Sequence, residues 1–396
     1  MKFAAVVGEF NPFHNGHAYL LEKARDISGC DTVLCVMSGN FVQRAFPAIA
    51  DMRVRAHAAL LNGADAIIEL PALYATACSE RFAEAAVNII NSIPAVSHLV
   101  FGSESGELSY LQKIAETQAF ESEKFKLILK QFLNNGIPYA AAYAKATEAE
   151  SGETPPNKPN DILAVEYIKQ LLKTNSRVIP VAVKRTGADY HDPKFQGHFS
   201  SATAVRGFLA HGNDAAAIES MPKTAAVLFQ DATASFPVIT KNFDLLVINA
   251  LRTNDYAGCP DAGEGLEIKL KKTALKSTVL DQVIAEAKSK RYTEARIRRL
   301  CLQVLFNITH YPMLNFFIPA KLIGVRNELK DSILSNLPQN ITVQNKNISQ
   351  YIATLAPAQQ QEAHYIQSIN QLAALLFPLL QNRDGKFYES EPLLTV

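Results

Sequence analysis

The stretch Val6-Val7-Gly8-Glu9-Phe10-Asn11-Pro12-Phe13-His14-Asn15-Gly16-His17 constrains this chain more than any other. Lys2 to Gly8 is short, apolar and Val-rich, as expected of a buried strand in a parallel sheet, and Asn11-Pro12 breaks it. A helix then opens near His14. His14 and His17 are three residues apart, so both imidazoles lie on one face of its first turn, and Gly16 keeps that face open. A helix N-terminus presents unpaired N–H groups and a partial positive charge, so two added imidazole donors make a site for phosphate oxygens. Taken alone, such a pair also fits surface or capping chemistry, or metal chelation. No nearby carboxylate or cysteine pair completes a zinc set, which ranks phosphate above metal.

Strand and helix alternate after this point. Helices are expected over about 14–27, 51–62 and 79–93, the last capped by Ser79, and strands over 31–37, 66–70 and 98–101. This repeated βα pattern predicts a parallel sheet with helices on both faces, which binds ligands beyond the strands' carboxyl ends. Gly8, Ser38, Glu69 and Gly102 fall at those ends, so one site can be built from four loops. Residues 107 to about 150 read as helical. Ser151 to Pro159 ends that run, and Asn160 then caps a helix bearing Ile162, Leu163, Val165 and Ile168. A strand over 178–183 delivers Lys184-Arg185, followed by the loop Asp189-Tyr190-His191-Asp192. In Ser200-Ser201-Ala202-Thr203-Ala204-Val205-Arg206, hydroxyls at a helix start precede an arginine by one turn, a second phosphate cradle.

Beyond Met221-Pro222 helical periodicity takes over. From Glu264 to Phe306 ten basic residues face five acidic ones. In Lys288-Ser289-Lys290-Arg291-Tyr292-Thr293, followed by Arg296 and Arg299, a tyrosine lies among cations and Thr293 is placed to cap a helix. A solvated helix face accounts for such a run. The other reading is an RNA contact, with cations on phosphates and the ring on an unpaired base. The remainder reads as a short strand at 319–325, a helix at 328–336 and another strand at 341–343, with an apolar C-terminal helix.

With 396 residues the chain suits two or three domains: an α/β domain over 1–210, a helical basic segment over 211–310 and a small mixed module over 311–396. The formal net charge of +1 gives no global attraction to nucleic acid, so any RNA contact must be local. Five scattered cysteines without Cys-x-x-Cys support neither a disulfide framework nor a zinc ribbon, and a reduced cytoplasmic setting fits. The apolar stretch at Lys2 to Gly8 is too short for a signal peptide or membrane span.

His14-Asn15-Gly16-His17 resembles the His-x-Gly-His signature of the nucleotidyltransferase superfamily that includes class I aminoacyl-tRNA synthetases. The longer run from Glu9 to His17 resembles one branch more closely, the bacterial tRNA(Met) cytidine acetate ligases. Ser200 to Arg206 resembles the Ser-Ser-Thr-x-x-Arg motif that closes the superfamily's site, with Ser-Ala-Thr in its middle. Asn160-Asp161-Ile162-Leu163 is similar to the branch's Asn-Asn-Ile-Leu, and Lys290-Arg291-Tyr292-Thr293 to its Lys-Arg-Tyr-Thr. Phe41-Val42-Gln43-Arg44 resembles its Phe-x-Gln-Arg loop, though Ala45-Phe46 stands where Gly-Glu is expected.

The resemblance implies a Rossmann-like domain that carries out adenylyl transfer with ATP, without a covalent enzyme nucleophile. It implies ATP contacts from Val7, Gly8, Glu9, Phe10, Asn11, Pro12, Phe13, His14, Asn15, Gly16, His17, Gly102, Asn160, Arg185, Ser201, Thr203 and Arg206. His14 and His17 would serve the phosphates catalytically and Arg185 and Arg206 the pyrophosphate side, with Gly8 and Gly102 admitting adenosine and Mg2+ held mainly by the nucleotide. Acetate would be activated as acetyl-adenylate and passed to the exocyclic amine of the anticodon wobble cytidine of elongator tRNA(Met), held through Lys288, Lys290, Arg291, Tyr292, Arg296 and Arg299. No membrane or protein partner is implied. Two rivals remain: an adenylyltransferase making a dinucleotide cofactor or coenzyme A precursor, which needs no basic helical domain, and a non-catalytic RNA-binding protein, for which these histidines and Arg206 have no use.

Overall fold

In the computed structural model, residues 1–185, 199–211, 213–234, 236–381 and 392–396 are described. β1 (Phe3–Gly8), β2 (Thr32–Ser38), β5 (Ala66–Leu70), β6 (Val96–Ser103) and β7 (Ile179–Lys184) form the parallel part of an eight-stranded sheet. A separate hairpin, β3 (Phe41–Val42) with β4 (Phe46–Pro47), lies in the loop after β2. The strand order β5-β2-β1-β6-β7 reverses direction at β1. β1 pairs with β2 on one side and β6 on the other, so the crevice beyond Gly8 and Gly102 is the topological switch point of the sheet.

Burial explains the apolar strands. Ala4 and Val6 of β1 and Val33, Cys35 and Met37 of β2 enter one core, while Phe3, Ala5, Leu34 and Val36 enter the other. That alternation is the period of a strand with helices over both faces, and each fully buried Val or Leu contributes about 1.5–3 kcal/mol. α1 (Asn15–Ser28) and α2 (Met52–Leu61) cover the first face. α3 (Ala72–Ala75), α4 (Ser79–Ser92), α5 (Leu108–Phe120) and α8 (Pro159–Lys173) contribute to the second, while α6 (Glu123–Asn134) and α7 (Tyr139–Ser151) pack on one another beside α5. α1 stops at Gly29, which takes the left-handed conformation, φ 60°, that a glycine adopts without strain.

After β7, α9 (Ala202–Ala210), α10 (Asp214–Glu219) and α11 (Lys223–Ala234) return to the first face, α11 lying on α2. The helical layer expected from residue 211 therefore gathers from α12 (Phe236–Thr253) onward. α12 packs against α13 (Leu266–Ala274), α14 (Leu280–Ala287) and α15 (Glu294–Phe306).

The C-terminal segment differs from the small module expected over 311–396. β8 (Ala320–Val325) joins the central sheet antiparallel to β5, and β9 (Ile341–Thr342) and β10 (Leu394–Thr395) pair with β8. β8 is buried along most of its length, so it gains more by extending the sheet than by leading a separate unit. α16 (Lys330–Leu334), α17 (Asn345–Ile352) and α18 (Pro357–Leu380) complete the chain, α18 packing on α3 and α12 with Phe377 fully buried. Among the described residues no helix is long and apolar enough to cross a membrane.

Two expected caps are displaced by one or two residues. α4 starts at Ser79 with Cys78 at the cap, and α8 starts at Pro159 with Lys158 there. Proline is favoured at a first helical position because its missing N–H has no partner to lose. Asn160 thus lies inside the first turn, leaving its amide available for other contacts.

Candidate active site

His14 is the N-cap of α1, and its imidazole stacks on that of His17 with centroids 3.6 Å apart and planes 21° from parallel. The His14 N–H donates to His17 Nδ1 at 3.2 Å, which fixes the His17 ring. His17 is also flanked by Phe10 and Phe13. A Cβ at residue 16 would come within 3.0 Å of the His14 ring, so Gly16 makes room for that ring rather than only keeping the helix face open. His14 Nδ1 is buried with no hydrogen-bond partner among the described residues.

Burial, reinforced by Arg185 and Arg206, pushes the His14 pKa down to about 3. Burial, then His14 and Arg185, holds His17 well below the ordinary histidine range. Both rings are therefore neutral at neutral pH. A neutral ring at a helix N-terminus can offer a ligand an N–H but no charge, and positive charge comes from the two arginines.

Those arginines are held from behind. Arg206 Nη1 donates to the Asn11 carbonyl at 2.6 Å and Nη2 to Thr203 Oγ1 at 3.2 Å. Ser201 caps α9 by accepting the Ala204 N–H at 3.2 Å. The Arg185 backbone N–H donates to the Ser103 carbonyl at 2.7 Å, continuing the β6–β7 ladder, and its Nη1 approaches Asn160 Oδ1 at 3.5 Å. The Arg185 stem covers Gly102, where a Cβ would lie 3.3 Å from Arg185 Cγ, and at Gly8 a Cβ would lie 3.0 Å from the Phe10 ring. The space at these two glycines is thus taken by the protein's own side chains.

A cavity of about 1330 Å3, counting its open mouth, collects most of the expected residues. Val7, Gly8, Glu9, Phe10, Asn11, His14, His17, Gly102, Asn160, Arg185, Ser201, Thr203 and Arg206 line it, and Gly16 lines an adjoining limb. Pro12, Phe13 and Asn15 line neither. Phe13 is fully buried against Phe10 and His17, while Asn15 spends its N–H and amide on the Ser220 and Glu219 carbonyls at the end of α10. Ser38 and Glu69 are also absent from this cavity. Glu69 faces a separate one of about 640 Å3 with Asn40, Lys321 and Asn370, because β2 and β5 lie on the far side of β1 from the switch point. The Asp189–Asp192 loop lies outside the described residues.

Three supporting residues escaped the sequence reading. Arg55 is fully buried, and its guanidinium donates to the carbonyls of Ala50 (3.0 Å), Glu9 (2.6 Å), Ser38 (3.0 Å) and Gly39. It ties the loops after β1 and β2 together. Burial lowers its pKa to about 10, against the pull of Asp51, Glu9 and Glu69. Glu104 and Asp161 form a reciprocal clasp: Asp161 accepts from Ser103 Oγ and the Glu104 and Ser105 N–H groups, and Glu104 accepts from the Asn160 amide and the Asp161 N–H. A run of charged residues at a strand end and a helix start was the available signal, but only three-dimensional pairing reveals the clasp.

The basic segment is arranged differently. Arg299 makes two hydrogen bonds to Asp261, at 3.0 and 2.8 Å, and Arg296 pairs with Glu264 at 2.8 Å. Tyr292 is buried between Lys269 and Arg296, and its hydroxyl donates to the Glu264 carbonyl. Little of the ring is therefore exposed to an incoming base. Lys288, Lys290 and Arg291 are exposed, Lys288 pairing with Glu294 at 3.2 Å. Thr293 caps α15 as expected.

A parallel α/β sheet with paired histidines at the switch point, facing arginines and hydroxyls from a later helix start, defines a nucleotidyltransferase-type site. The chain belongs to the HIGH nucleotidyl transferase family, whose sequence model matches residues 1–387. It is 40% identical over 310 residues to the tRNA(Met) cytidine acetate ligase of Caldicellulosiruptor saccharolyticus, covering 77% of each chain. It is 36% identical over 321 residues to the protein of that name from Clostridium perfringens, covering 78% of this chain and 79% of the other. The crystal structure of Thermotoga maritima TmcAL bound with alpha-thio ATP matches with a TM-score of 0.88 and 27% identity, over 100% of this chain and 99% of that one.

Proposed function

We propose that this protein is an ATP-dependent ligase that acetylates a cytidine of tRNA(Met), working in the cytoplasm on the wobble position of the elongator tRNA. The observation that carries it is the stacked pair of neutral histidines opposite Arg185 and Arg206 in one cavity, in a chain so similar to ligases of that name. An acetate oxygen attacks the α-phosphorus of ATP and pyrophosphate leaves. His14 and His17 donate to phosphate oxygens as charge shifts onto them, Arg185 and Arg206 hold the pyrophosphate side, and Ser201 and Thr203 flank it. Neutral donors suit this task, since they gain strength as negative charge grows. A magnesium ion bound with the nucleotide would supply further charge neutralisation on the phosphates beside Arg185 and Arg206.

The cytidine's exocyclic amine then attacks the acetyl-adenylate carbonyl and AMP leaves. For the tRNA we assign backbone contacts to Lys288, Lys290 and Arg291, and a buttressing role to Tyr292, Arg296 and Arg299, which tie the chain just after those cations to residues 261–264. The test is to incubate the enzyme with tRNA, ATP, magnesium and isotopically labelled acetate, then digest the tRNA to nucleosides. Labelled N4-acetylcytidine that requires ATP is expected. Pyrophosphate release with a nucleotide or pantetheine phosphate as acceptor, and unlabelled tRNA, would move the function to a cofactor adenylyltransferase.

A further inference from the structure

The cavity at the switch point divides at a waist. His14, His17, Leu20, Gly102, Glu104, Arg185 and Ser201 border both limbs. One limb, of about 850 Å3, runs along α1 between Tyr19, Val183, Lys184 and Phe199, and beyond the waist no carboxylate lines it among the described residues. The wider limb holds Glu9, Gln43 and Arg44, with aromatic surface from Phe82, Phe101 and Tyr167.

On the function proposed above, on which this inference rests, the phosphates occupy the waist. The acceptor nitrogen must reach one face of the planar acyl carbonyl while AMP is still attached, so the base that carries it needs space that the adenosine does not fill. Adenosine and acceptor therefore take different limbs. A purine suits the narrow apolar slot. An amine nucleophile needs a group to receive its N–H, and a base delivered on a large RNA suits the larger limb with aromatic flanks.

Glu9 meets that need. Its carbonyl is held by Arg55 Nη1 at 2.6 Å, and its Oε1 accepts the Gln43 N–H at 2.8 Å, so two bonds fix where the carboxylate points. Its second oxygen has no hydrogen-bond partner among the described residues, and Glu9 lines the wide limb. We propose that Glu9, rather than contacting ATP, is a catalytic residue of the second half-reaction, receiving the cytosine 4-amino group and taking its proton. The nitrogen lone pair forms the bond to the acetyl carbon. The carbonyl C–O bond to phosphate breaks, AMP departs with that electron pair, and the amine proton passes to the Glu9 carboxylate and then to water.

The experiment uses Glu9→Gln, which keeps a carbonyl oxygen for the Gln43 N–H but offers no base. Acetate-dependent ATP–pyrophosphate exchange reads the first half-reaction, and acetyl transfer to tRNA from enzyme-bound acetyl-adenylate reads the second. Transfer is expected to fall by about 100-fold relative to exchange, the usual size of a general-base contribution. Glu9→Asp should recover part of that ratio. Equal loss in both half-reactions would overturn the proposal and place Glu9 with the nucleotide or the fold, and an unchanged ratio would overturn it too. Wild-type enzyme that exchanges pyrophosphate yet acetylates no tRNA would overturn the function itself, and this role with it.

Discussion

Two regions of this molecule are rich in basic side chains, and they use them in opposite ways. At the switch point, Arg185 and Arg206 are anchored from behind by Asn160, Asn11 and Thr203, and their guanidiniums line an open cavity with His14 and His17. In the helical layer, Arg296, Arg298 and Arg299 end on Glu264, Asp281, Glu294 and Asp261. The first arrangement leaves charge available to a ligand. The second spends it on holding helices together, so a count of cations along a sequence does not measure the field a partner meets.

Removing one arginine from each region should separate the two uses. Arg206→Ala should slow acetate-dependent pyrophosphate exchange by roughly 100- to 1000-fold, as for other transition-state charge contacts, while stability changes by no more than about 1 kcal/mol. Urea unfolding beside exchange kinetics checks it, and parallel loss of both would place Arg206 with the structural arginines. Arg299→Ala should do the reverse. Breaking its half-buried pair with Asp261 should cost about 2 kcal/mol of stability, with exchange by the folded enzyme little affected.

The histidines sharpen the contrast through pH. An unfolded histidine takes a proton near 6.5, whereas folded His14 resists until about 3. Between those values the unfolded chain binds more protons, so His14's contribution to stability is complete above 6.5 and is lost as the pH falls towards 3. His14→Gln should flatten the acid limb of a stability profile by up to about 1.4 kcal/mol per pH unit. An unchanged slope would mean that the ring is not buried neutral. The smallest effect belongs to Lys290→Ala with Arg291→Ala. Affinity for tRNA should fall on the order of fivefold, and the salt slope should become shallower by about 1.5, with exchange intact. A larger loss on Arg299→Ala in a folded protein would return that residue to the RNA surface.

The sequence made the first region legible because strand, turn and helix start are local. Val6 to His17 carries its own period, its own break and its own cap, and Ser201 to Arg206 repeats the logic. What escaped was pairing at a distance. Glu104 meets Asn160 and Asp161 across 56 and 57 residues, and Arg55 gathers carbonyls from Glu9, Ser38 and Gly39, contacts that no spacing rule anticipates. The pairing inside the basic segment escaped for the same reason, since Asp261 lies 38 residues before Arg299, which donates to it. β8 returns from 250 residues downstream of β5 to extend the sheet, so a tail that reads locally as a small module becomes part of the main fold.

The most direct measurement is acetate-dependent ATP–pyrophosphate exchange by wild type and His17→Ala, each with its melting temperature taken alongside. Exchange that needs acetate and collapses in the variant, at an unchanged melting temperature, is the predicted result. Exchange that persists in His17→Ala would contradict it, because the paired imidazoles would then have no part in holding the phosphates.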